Sequence, residues 1–138
     1  IVYTVNRQGT IGSFEATGKA LTQDPLVVLV NQGTASASEI LAGALHDNGR
    51  ATILGEKTFG KGLIQSLFDL SDGAGLAVTV AKYETPNHTD INRLGIQPDR
   101  TVALDQSMTL EQIGTPLDKQ YQAAIETLSA DSLVAGAK

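Results

Sequence analysis

Apolar residues change their spacing several times along this chain, and each change marks an element. Leu26-Val27-Val28-Leu29-Val30 is an unbroken apolar run introduced by Pro25. Such a run predicts a short strand covered on both faces, as in a parallel or mixed sheet. Soon afterwards Ala37, Ile40, Leu41, Ala44 and Leu45 recur at three- and four-residue spacing. That period predicts an amphipathic helix with this face buried. Ser36, with Glu39 three residues on, is a capping-box pattern for its start, and Asn48-Gly49 is a stop signal. Ala51–Leu54 predicts a second short strand and Gly55–Gly62 a loop. Gln65–Leu70 and Leu76–Tyr83 predict two strands joined as a hairpin through Ser71-Asp72-Gly73-Ala74-Gly75.

The flanks are less regular. Residues 1–24 predict an opening strand followed by a mobile hairpin or loop, punctuated by Gly9, Gly12 and Gly18. Residues 86–99 predict irregular structure, with Pro98 breaking any period. Thr115-Pro116 reads as a helix start with proline in the first turn. Leu117, Tyr121, Ala124, Ile125 and Leu128 then form the stripe expected to dock this helix, and residues after Asp131 are expected to fray. Strands mixed with helices in this order predict an α/β domain.

Bulk properties narrow the function. With 138 residues the chain is expected to be a single domain with a real core. Ten basic against fifteen acidic residues give a net charge of −5, which argues against a nucleic-acid surface, since that needs a basic stripe to neutralise phosphates. The longest apolar run is far too short to span a bilayer. The absence of cysteine excludes a disulfide framework and a thiolate metal site. The opening Ile1-Val2-Tyr3-Thr4-Val5 reads as a strand in mid-flow, so the chain is expected to be an excised piece of a longer one.

Ser36 and Lys61, each in a turn of small residues, are the candidate chemistry. A serine is a poor nucleophile at neutral pH unless a base removes its proton. At a helix N-terminus it would have the Ala37 N–H beside it, aimed where an oxyanion forms. The alternative is that Ser36 only caps the helix. Ser38 is a rival nucleophile, but it lies roughly 200° further round the helix, so one of the two faces the site. His46, ten residues along, would be about 15 Å away, too far to be the base. Asp47 is equally distant and is expected to anchor a neighbouring loop, while His88 is expected at the surface.

An ordinary lysine is neutral about once in 2,500 molecules at pH 7. Serving as a base therefore requires desolvation. Phe59, Leu63 and Ile64 are expected to form an apolar collar round Lys61, and Gly60 and Gly62 to let the backbone pass close to a substrate. The alternative is a loop lysine in water. Gln65, four residues on, reaches the amine only if the chain bends between them. Gly55–Lys61 also matches the first seven positions of a phosphate-binding loop, but Gly62 stands where serine or threonine should hold magnesium, and an extended segment follows where a helix is needed.

The run Val30-Asn31-Gln32-Gly33-Thr34-Ala35-Ser36-Ala37-Ser38-Glu39-Ile40, then Ala42-Gly43-Ala44-Leu45, then Gly55-Glu56-Lys57-Thr58-Phe59-Gly60-Lys61-Gly62, resembles the carboxyl-terminal processing (tail-specific) proteases. Tyr83-Glu84-Thr85-Pro86 and Gly95-Ile96-Gln97-Pro98-Asp99 fit the same pattern. Leu63-Ile64-Gln65 with Asp69-Leu70-Ser71-Asp72-Gly73 is most similar to the photosynthetic branch, which trims a photosystem II reaction-centre subunit in the thylakoid lumen. The resemblance implies a crotonase/Clp-protease-like mixed sheet flanked by helices, with a β-hairpin and a C-terminal helix. It implies Ser36 as nucleophile, Lys61 as general base, Gln65 orienting the lysine and Ala37 N–H as one oxyanion donor, with no metal or cofactor. Asp47 matches an aspartate once thought important. The expected substrate is a protein with a free C-terminal tail, and the expected compartment a thylakoid lumen or periplasm. On this reading residues 1–138 are the C-terminal part of the catalytic core, without the PDZ domain or the strand supplying the second oxyanion donor, and are expected to be weakly active or inactive alone. The alternative is a non-catalytic binding or assembly module that keeps the fold.

Overall fold

Parallel pairing organises the first layer. In a computed structural model, which describes residues 1–135 and their side chains through residue 130, strand β3 (Val27–Val30) runs parallel to β4 (Thr52–Gly55). A parallel pair needs a long crossover, and helix α1 (Ala37–Asp47) supplies it. The short strand β7 (Arg100–Thr101) adds to the other edge of β4, giving the order β3-β4-β7.

Antiparallel pairing builds the second layer from two local hairpins. β1 (Val2–Asn6) pairs with β2 (Gly9–Phe14), and β5 (Leu63–Asp69) with β6 (Gly75–Glu84). β1 joins them by pairing with β6, so the order is β2-β1-β6-β5. The α/β class is as expected, with its parallel and antiparallel pairings housed in separate sheets.

Val30, Ala42, Ile53, Ile91 and Ile96 form the core cluster, with Val28, Ile40 and Tyr83 packed against it. Two burial expectations need correction. β3 is not covered fully on both faces: Val28 and Val30 join the core, whereas Leu29, on the opposite face, stays 41% exposed. The buried face of α1 carries Glu39, Ala42, Gly43 and Ala44, while Leu41 is 58% exposed. Small residues govern that choice. A Cβ on Gly43 would stand 2.8 Å from Thr85 Cγ2 and 3.1 Å from Ile96 Cδ1, so the helix can approach the 85–96 segment only through a bare backbone.

That segment is irregular, as expected, yet firmly held. Thr85 N–H donates to Thr89 O at 3.0 Å, and Glu84 bridges to Asp90. Lys82 Nζ lies 2.8 Å from Asp90 Oδ2, and the His88 ring stacks on Tyr3 at 4.3 Å.

Helix α2 (Lys119–Ala135) packs on β3 and β4. It begins later than Thr115-Pro116 suggests, because Asp118 is the stronger cap: its Oδ1 accepts the N–H groups of Gln120 and Tyr121 at 2.9 and 3.1 Å. The docked face is Gln120, Ala123 and Ala124, whereas Leu117 and Ile125 are exposed. Gln120 Nε2 donates to Val102 O, and Arg100 reaches Ala123 O and Glu126, which ties β7 to the helix. The backbone is helical through Ala135, and the fraying expected beyond Asp131 otherwise concerns residues 136–138, outside those described. Replacing Asp118 by alanine should lower stability by about 1 kcal/mol in urea unfolding. An unchanged midpoint would place the cap elsewhere.

Candidate active site

The chain leaves β3 through a tight turn in which Thr34 N–H donates to Asn31 O at 2.9 Å and Gly33 N–H to Asn31 Oδ1 at 2.8 Å. Ser36 follows at the N-cap of α1, half-buried, with φ 58° and ψ −119°. An ordinary capping serine sits in the β region. Ser36 instead holds the first central position of a type II′ turn, which favours glycine. Such a conformation costs a larger residue on the order of 1–3 kcal/mol and persists only where its surroundings impose it.

Glu39 imposes it. This residue is completely buried, and its two carboxylate oxygens collect four donors. Oε2 accepts Ser36 N–H at 2.9 Å and Lys61 N–H at 2.8 Å. Oε1 accepts the Thr58 hydroxyl at 2.5 Å and Gly60 N–H at 2.6 Å. The rest of the capping box is looser: the Glu39 N–H faces the Ser36 side chain, but its well-formed bond goes to Ser36 O, at 2.9 Å. Because one oxygen binds both amides, the Ser36 and Lys61 nitrogens can be no further apart than the two lengths together, 5.7 Å. A second link, Phe59 N–H to Thr34 O at 3.0 Å, fastens the same turns.

Sequence reasoning took Glu39 for a cap partner and missed this larger role. The signal was present: Glu39 precedes Ala42 and Gly43 by three and four residues, so it belongs to the buried face of α1.

The Lys61 turn corrects two expectations. Gly60 and Gly62 serve approach by the chain itself. A Cβ on Gly60 would lie 2.9 Å from Arg93 Cα, and one on Gly62 only 2.5 Å from Asn92 N. Arg93 N–H donates to Gly60 O at 2.9 Å, with Arg93 itself at φ 64°. The apolar collar does not form within the described residues: Phe59 is 65% exposed, Leu63 is 42% exposed, and Lys61 is exposed with them. Both flanking side chains sit on the open side of the turn, because the 91–93 backbone occupies the other.

The remaining candidates divide. Ala37 is exposed, and its N–H meets no acceptor among the described residues, so it is free to meet a ligand. Ser38 is exposed one helical step further on. Gln65 is exposed on β5, just past a break in register between Ile64 and Gln65, and makes no hydrogen bond to Lys61 among the described residues. The loop 56–62 leads into strand β5 and not into a helix, which disposes of the phosphate-binding pattern.

Comparison with known proteins gives the family. The model of Peptidase family S41 matches residues 1–102. The carboxyl-terminal-processing protease of Synechocystis sp. is 67% identical over 135 residues, covering 98% of this chain and 31% of its own. Carboxyl-terminal-processing peptidase 3, chloroplastic, of Arabidopsis thaliana is 50% identical over 137 residues, 97% of this chain and 25% of that protein. A solved photosystem II D1 C-terminal processing protease superposes with a TM-score of 0.67 at 56% identity, over 73% of this chain and 26% of that one. The chain thus spans about a third or less of the length of these relatives.

His46 and Asp47 lie at the far end of α1, where the distance argument put them. His46 Nδ1 is 3.1 Å from Asp47 Oδ1 and its Nε2 is 3.0 Å from Asp99 Oδ1. Asp47 Oδ2 accepts Asn87 N–H at 2.9 Å, the loop anchor expected of it. The hydrogen bond to Asp47 raises the His46 pKa above the usual 6.5; partial burial opposes this, and Asp99 adds to it. Burial pushes the Asp47 carboxyl up, but bonds from Thr85, Asn87 and His46 outweigh it and the net shift is down. The His46 contribution to stability is therefore complete below its unfolded pKa of 6.5 and is lost as pH rises through the higher folded value. The Asp47 contribution is present above 3.8 and is lost as pH falls through its lowered pKa. Unfolding of wild type and His46→Gln should show the largest wild-type advantage near about pH 5.5, shrinking towards about pH 8.5. An advantage independent of pH would contradict this assignment.

Proposed function

Because this chain belongs to Peptidase family S41, we propose that it carries the nucleophile and general base of a serine endopeptidase that cleaves near the C-terminus of protein substrates. One observation carries the reading: the Glu39 carboxylate draws the Ser36 and Lys61 turns together. The strained backbone of Ser36 and the free Ala37 N–H beside it support the same conclusion.

On this reading Ser36 Oγ attacks the carbonyl carbon of the scissile peptide while the neutral Lys61 amine takes its proton. The carbonyl oxygen becomes an oxyanion held by Ala37 N–H at the positive end of α1. Lys61 returns the proton to the leaving nitrogen, the C–N bond breaks, and an acyl ester remains on Ser36. Water, deprotonated by the same amine, then attacks the ester carbon; Lys61 returns the proton to Ser36 Oγ as the ester C–O bond breaks, freeing the new C-terminus. An amine acts as a base only when held out of water. Phe59 and Leu63 leave Lys61 open in this chain, so the substrate or the remainder of the protein supplies the cover. Gln65 is assigned to orient the amine in that closed arrangement.

The substrate on this reading presents a free C-terminal tail. Likeness to a photosystem II D1 C-terminal processing protease favours the C-terminal extension of a photosystem II reaction-centre subunit. The corresponding compartment is a thylakoid lumen or a periplasm. Among the described residues no helix is long and apolar enough to cross a membrane.

A serine-directed acylating probe, applied to the full-length protein, should modify Ser36. Lys61→Ala should slow that labelling, and cleavage of a tailed peptide, by about 100-fold or more. Labelling of Ser38 in place of Ser36, or full turnover by Lys61→Ala, would overturn the proposal.

A further inference from the structure

We infer that Glu39 is the positioning residue of this site: its carboxylate fixes the relation between nucleophile and base by holding both of their backbone N–H groups on a single oxygen. The inference deepens the proteolytic reading above and rests on its assignment of Ser36 and Lys61.

The Glu39 carboxylate bonds to the backbone N–H groups of Ser36 and Lys61 and to neither side chain, so it acts through their main chains. Its bond to Ser36 N–H holds the peptide plane before Ser36 and with it the positive φ that sets the direction of the side chain. The same bond withholds that N–H from any ligand and leaves Ala37 N–H as the available donor of the turn. On the other oxygen, the Thr58 hydroxyl extends the clamp into the core, because Thr58 Oγ1 also accepts Ile96 N–H at 2.7 Å. The 91–96 segment, which backs Gly60 and Gly62, is thereby part of one rigid mount.

The chemistry of the four donors selects the residue type. All four are uncharged, and together they use the four lone-pair sites of a carboxylate. Glutamine retains an oxygen for one pair of donors but turns an NH2 group, itself a donor, towards the other pair. Aspartate keeps both oxygens but falls short by one methylene, about 1.5 Å.

The test uses the full-length enzyme and two readouts. Steady-state cleavage of a tailed peptide should show Glu39→Gln losing about 100-fold in kcat, as expected for reacting groups misplaced by about 1 Å, with KM changed less than about threefold. Hydrogen exchange should quicken at the Ser36 and Lys61 amides together. Asp118→Ala, which removes the cap of α2 and touches neither turn, should lower stability while leaving kcat and both amides unchanged. If Glu39→Gln does not fold, Glu39→Asp is held to the same two readouts. Unchanged kcat in the folded variant, or faster exchange at only one of the two amides, overturns the inference. Should Ser36→Ala retain activity, the proteolytic reading falls by itself, and the paired amide exchange still decides whether the clamp exists.

Discussion

A carboxylate buried without a neighbouring cation is stable only when hydrogen bonds replace the water it has lost. Among the described residues Glu39 is in that position, and its four donors come from two separate parts of the chain. One is the turn between β3 and α1; the others lie in the loop between β4 and β5. Neither part can satisfy the carboxylate alone. Folding of the parallel layer and assembly of the Ser36–Lys61 site are consequently a single event, since an unfinished site would leave an uncompensated charge in the core.

The small residues of the two motifs follow from the same constraint. Gly43 brings α1 against Thr85 and Ile96, while Gly60 and Gly62 bring the Lys61 turn against residues 91–93. Gly55, at φ 128°, has no room for a Cβ because Val30 O would stand 2.0 Å from it. The contacts at Gly55, Gly60 and Gly62 are with backbone and that at Gly43 is with side chains, and they leave the Ser36 and Lys61 turns little freedom to drift. The Lys61 side chain is different. Its backbone is bolted down, but its amine lies open to water. Backbone position is thus built into this chain, whereas the proposed mechanism requires a cover over the amine.

Much of the fold was legible in spacing alone. The apolar run at 26–30, the helix at 37–47 and the hairpin through 71–75 all stand close to where the pattern put them. Spacing failed where a polar side chain overruled it. Asp118 moved the start of α2 past Thr115-Pro116, and buried Glu39, together with the small residues Ala42, Gly43 and Ala44, set the buried face of α1 away from Leu41. The placement of Ser36 and Lys61 was readable as motif, but their proximity was not, because it depends on a carboxylate that local pattern explains fully as a cap. Nor could sequence show that Gly60 and Gly62 face their own chain, since a glycine signals close approach without naming what approaches.

The most direct measurement is a structure of the full-length enzyme with a substrate-like acyl group trapped on Ser36. It should show the Lys61 amine covered from water and within about 3 Å of Ser36 Oγ, with Glu39 still bound to both backbone N–H groups. An acylated Ser36 whose Lys61 amine remains in solvent, or whose turn has parted from Glu39, would contradict the account.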